Sequence, residues 1–196
     1  MGPTAGILKV IVLVLLISAC TYSESEKATE KLEAHDIPVN GEELIYNIQV
    51  NNVEVTEWLL IAGVDPNTLD ANDISALMWA SDLGYKRIVE LLIKYGADVN
   101  YTSQDFFPLL IASKEGHRQI VEILIQNGAN VNHYNSDGIT ALMSAAVGGH
   151  DDIIETLLHN GANPLIQTEE GVRAHQFAWE EGHEDIALYI RNYNDR

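Results

Sequence analysis

Three histidines, His117, His150 and His183, stand 33 residues apart, and acids sit side by side at Asp151-Asp152, Glu169-Glu170 and Glu180-Glu181. The first set invites a metal reading, the second a general acid and base. Spacing argues against the metal. An interval that regular belongs to a repeated unit, so adjacent histidines lie one helix spacing apart, about 8–10 Å. Zinc holds its ligands at about 2 Å, so the histidines read as hydrogen-bonding turn residues and no metal or cofactor is expected. The acid pairs read as solvated surface, with catalysis at Asp151, Asp152, Glu180 and Glu181 kept as an alternative. No glycine-rich phosphate loop or Ser-His-Asp arrangement accompanies them.

The single thiol is Cys20. One cysteine forms no internal disulfide, so the fold must stand on packing alone. Upstream, residues 1–19 carry one charge, Lys9, and the apolar run Val10–Ile17. That run is far shorter than the roughly 20 residues a bilayer crossing needs, and has the form of a secretory signal peptide. Its end, Leu16-Ile17-Ser18-Ala19-Cys20, resembles the lipobox of bacterial lipoproteins. The resemblance implies cleavage before Cys20 and its acylation, hence a membrane contact by lipid anchor only. Thr21 stands where an Asp would resemble an inner-membrane retention signal, which favours the outer membrane, facing the periplasm. Residues 20–36 are polar and charged, and are expected to form the lipidated cysteine and a flexible tether.

The elements behind the histidines come from a repeat. Stop glycines Gly63, Gly96, Gly128 and Gly161 are 33, 32 and 33 residues apart, a period that signals stacked supersecondary units. In the cleanest unit Ser75 caps a helix, Gly84 turns the chain, Ile88 to Ile93 supply a wide apolar stripe, and Gly96 ends the second helix. Core positions recur as Ile88, Ile120, Ile153, Ile186 and as Leu92, Leu124, Leu157, Tyr189. Such short helices must stack to bury their stripes.

The phrases Gly96-Ala97-Asp98-Val99-Asn100 and Gly128-Ala129-Asn130-Val131-Asn132, with Gly-His at 116, 149 and 182, resemble the ankyrin repeat. The resemblance implies an all-α fold: an ankyrin-repeat solenoid of about five helix-turn-helix repeats with short β-turn fingers, over 37–196. The units run about 37–67, 68–100, 101–132, 133–165 and 166–196. Departures are visible. The family's Thr-Pro-Leu-His start appears as Ser75-Ala76-Leu77-Met78, Phe107-Pro108-Leu109-Leu110 and Thr140-Ala141-Leu142-Met143, so its histidine is replaced by apolar residues. The third unit is one residue short before Pro108. The first lacks a proper finger and the fifth ends in Arg191-Asn192-Tyr193, so both ends read as caps.

Ankyrin proteins bind partners in the concave groove between fingers and inner helices. The finger positions here are Ile74, Phe106, Ile139 and Val172; the inner-helix positions are Asp82-Leu83, Lys114-Glu115, Val147-Gly148 and Glu180-Glu181. An apolar ridge beside mainly acidic residues suits a basic, partly apolar protein surface. The formal charge of -18 agrees with a basic partner and argues against nucleic acid. The expected function is a non-catalytic binding module in the bacterial envelope, monomeric apart from its partner. Small exported ankyrin proteins of this kind act as immunity proteins against toxins or as accessory factors for a neighbouring exported enzyme. The alternatives are an envelope enzyme or a structural spacer.

Overall fold

The computed structural model describes residues 24–103 and 105–193. Cys20, the signal segment and the start of the tether lie outside the described residues. Helix α1 occupies residues 24–34. Five helix pairs follow: α2 Gly41–Gln49 with α3 Val53–Ile61, α4 Ala76–Asp82 with α5 Lys86–Lys94, α6 Pro108–Lys114 with α7 Arg118–Gln126, α8 Ala141–Gly148 with α9 Asp151–His159, and α10 Ala174–Glu180 with α11 Glu184–Arg191. This is an all-helical repeat solenoid. Among the described residues β-structure is limited to isolated bridges, and no helix is long and apolar enough to cross a membrane.

Several helix starts are set by side chains. Asn40 Oδ1 accepts from Glu43 N (2.8 Å), Ser75 Oγ from Met78 N (3.2 Å) and Thr140 Oγ1 from Met143 N (3.3 Å). Pro108 opens α6 where a backbone N–H would have no helical partner. The first helix of each pair packs against its counterparts, α2 on α4, α4 on α6, α6 on α8 and α8 on α10, while α3, α5, α7 and α9 form an outer row. Ala80, Ala112, Ala145 and Ala178 are fully buried in the inner row. Outer-row positions carry larger Ile88, Leu92, Ile120 and Leu124, also buried. Small residues let the inner axes approach more closely, so the stack curves with the inner helices and fingers on its concave side.

Polar side chains tie each unit to the next. His117 Nε2 donates to Asp82 O and His150 Nε2 to Lys114 O, both at 2.9 Å, the hydrogen-bonding role expected of the turn histidines. The imidazoles need glycine in front of them: a Cβ on Gly84 would meet His117 Cε1 at 2.6 Å, and one on Gly116 would meet His150 Cε1 at 2.8 Å. Asparagines make a second ladder. Asn100 Nδ2 donates to Gly128 O (3.0 Å) while its Oδ1 accepts from Asn130 N (2.8 Å), and Asn132 repeats this with Gly161 and Asn163 at 2.9 and 2.7 Å. Each amide satisfies two backbone groups that would otherwise need water.

One expectation changes, and one open shape is filled in. Residues 24–34, read as part of a flexible tether, are helical, with Ala28 and Leu32 buried in the core. They lie four apart on one face, and Lys31 Nζ stands 4.6 Å from the Trp58 ring centroid with His35 tilted against the same ring at 5.7 Å. This helix seals the N-terminal end. The short third finger resolves as a tight hairpin. Ser103 and Phe106 exchange both backbone bonds, at 3.0 and 2.8 Å. The fingers beside it span one residue more, Asp70 to Ile74 and Asn135 to Ile139.

Candidate functional site

The concave face is built from the fingers and the solvent-facing positions of the inner helices. Ile74, Ile139 and Val172 are half-buried, whereas Phe106, in its tighter hairpin, is 44% exposed. Among the inner-helix residues Asp82, Lys114, Glu115, Val147, Glu180 and Glu181 are exposed and Leu83 is half-buried.

Two depressions collect most of these residues. The first, about 200 Å³ between the second and third units, joins the expected Ile74, Asp82, Phe106, Lys114 and Glu115 to Met78, Trp79, Leu110 and Ile111. The second, about 180 Å³, joins Lys114, Ile139 and Val147 to Met143, Ser144 and Phe177. Lys114 forms the divide between them, its ammonium 3.4 Å from Glu115. Leu83, Val172 and Glu181 line neither depression, and Glu180 belongs to the far end of the array.

Sequence reasoning missed the floor of the groove. Tyr46, Trp79, Ile111, Ser144 and Phe177 occupy one helix position, 33, 32, 33 and 33 residues apart. The same period that located the fingers carries this row one turn earlier in each inner helix. Tyr46 is 58% exposed. Trp79 is held in place: its Nε1–H donates to Asp70 Oδ2 at 3.0 Å. Burial alone would push Asp70 up, but the backbone N–H groups of Ile74 and Asn72 and the Trp79 indole outweigh it, so its carboxyl lies below the usual 3.8. The indole anchor is therefore fully formed above that ordinary value and weakens as pH falls through the lowered one.

The arrangement suits recognition. Trp79, Phe106 and Ile111 offer apolar area, and Asp82 and Glu115 put negative charge at its edge. Aromatic anchors surrounded by a polar rim are the usual energetic centre of a protein interface. The acid pairs Asp151-Asp152, Glu169-Glu170 and Glu180-Glu181 are all exposed. Among the described residues no three His, Cys, Asp or Glu side chains are grouped so as to hold a metal ion.

Comparison with known families agrees with the geometry. A model of ankyrin repeats in three copies matches residues 44–135, and a single ankyrin-repeat model matches residues 137–169. No curated protein matches the chain.

Proposed function

The chain belongs to the ankyrin-repeat family, and from that premise we propose that it is a non-catalytic module gripping a basic, partly apolar surface of another protein. Ankyrin repeats are generally protein–protein interaction modules. The observation that carries the finer reading is the Trp79–Phe106 depression with Asp82 and Glu115 on its rim. An apolar partner side chain would enter it, and a neighbouring lysine or arginine would meet the carboxylates. The chain's formal charge of -18 speeds the approach of such a partner.

The test is capture of the partner from membranes, with quantified binding thereafter. Phe106→Asp and Trp79→Ala are each expected to weaken binding by about 2 kcal/mol or more, the scale of central aromatic anchors. Unchanged affinity in both would refute the groove.

The address belongs to the same proposal: lipidation at Cys20 on the outer membrane, facing the periplasm. Its support is the lipobox-like Leu16–Cys20. Cys20→Ser should abolish palmitate incorporation, and persistent label would remove the anchor from the proposal. Immunity and accessory roles separate by the partner's nature. Protection of cells from a co-encoded toxin, lost in Phe106→Asp, marks immunity; loss of a neighbouring exported enzyme's activity marks service to it.

A further inference from the structure

One inner-helix position is held by Ile48, Ser81, Ser113, Ala146 and Trp179 in successive units. In the first four it is fully buried under the next unit, with no exposed surface. In the three units before the last the residue is also small. In the last unit it is a tryptophan, 57% exposed, and Leu188 of α11 beside it is 45% exposed. Terminal units of solenoids ordinarily present a polar outer face, so large apolar side chains in this place point to a surface with an occupant.

The patch continues into positive charge. Two adjoining depressions, about 320 and 160 Å³, share His175 and Arg191. Trp179 and Leu188 line the larger, and Leu165 and Arg173 the smaller. Lys86, Arg87, Lys94, Lys114 and Arg118 all stand within 4.0 Å of a carboxylate. Arg173 and Arg191 have no such partner among the described residues, in a chain with 29 acids and 11 basic residues. Glu180 lines the larger depression yet stands outside ion-pair distance of either. With the Gln167 amide oriented to accept, Arg173 Nη2 and Nε donate to its oxygen at 2.9 and 3.0 Å. That fixes the guanidinium without neutralising it. His175 between them titrates below its usual range, first through burial and then through the charges of Arg173 and Arg191.

The geometry points to a second docking site, at the C-terminal end of the solenoid, for an acidic segment of another protein. That segment places a carboxylate between Arg173 and Arg191 and a leucine- or phenylalanine-sized side chain against Trp179 and Leu188. Guanidinium–carboxylate pairing supplies direction and the indole supplies area. The site is opposite in charge to the concave groove and does not rest on the groove reading.

Random-peptide display on the full chain tests it, run in parallel on wild type and on Arg191→Glu, Trp179→Ser and Phe106→Asp, with melting curves for each. Wild type should enrich peptides pairing Asp or Glu with Leu or Phe. Their affinity by fluorescence anisotropy should fall about tenfold or more in Arg191→Glu and Trp179→Ser, as expected of interface anchors, and weaken with salt. It should persist in Phe106→Asp. Where Trp179→Ser melts early, Leu188→Ser replaces it. The proposal is overturned if no such peptide class is enriched, or if binding ignores Arg191→Glu. It is also overturned if sedimentation shows a dimer that Trp179→Ser disperses, which makes a second copy the occupant.

Discussion

The two ends of the array solve the same problem differently. At the N-terminal end α1 lies over the first pair, burying Ala28 and Leu32 and resting Lys31 on Trp58. At the C-terminal end Trp179 and Leu188 meet solvent directly. A solenoid needs each outermost apolar face covered or replaced by polar residues. Among the described residues, one end follows that rule and the other does not, which separates an element that stabilises the stack from the surface proposed for binding.

Substitutions at equivalent positions can break the comparison. The largest effect is expected from Ser113→Trp, which places in an inner unit the residue the last unit carries. Ser113 is fully buried and its hydroxyl has no hydrogen-bond partner among the described residues, so nothing polar is lost and the penalty is steric. Overpacking of this size should cost about 4 kcal/mol or more in urea denaturation. A mild effect would mean the position does not govern stacking. Leu32→Ala comes next, at about 2–4 kcal/mol, because a fully buried leucine is removed from the sealed end. A loss near zero would return residues 24–34 to the status of a tether. The smallest is Trp179→Ser, expected to change stability by no more than about 0.5 kcal/mol, as exposed substitutions do. Were it to cost as much as Leu32→Ala, the open end would be a cap after all.

Much of the fold is legible in the chain because stacking enforces a period. Ile88, Ile120 and Ile153, aligned by that period, are all buried to within 2%. Ile186 and Tyr189 are aligned equally well yet remain half-buried, since no further unit covers them among the described residues. Residues 24–34 read as a tether with at most a fraying helix because they bury only one alanine and one leucine on a charged strip. The groove was half legible. Finger and inner-helix positions could be placed, but the direction of a side chain depends on backbone geometry that periodicity does not encode. Phe106 and Ile139 hold equivalent places, and a hairpin shorter by one residue leaves the first more exposed than the second. Trp79 was visible at the period of Tyr46 and Phe177, but its bond to Asp70 depends on a fold-back of the finger.

Helix α1 has one more consequence, for reach. With residues 24–34 folded into the body, only residues 20–23 separate the proposed anchor from the domain. Four extended residues span at most about 14 Å. Were Cys20 acylated as proposed, so short a leash would confine the domain to a thin layer above the lipid and raise the effective concentration of any partner held in that layer. Membrane-borne partners would gain most from it. Lengthening the leash with glycine and serine would widen the searched layer and lower that gain, leaving every contact in the groove unchanged.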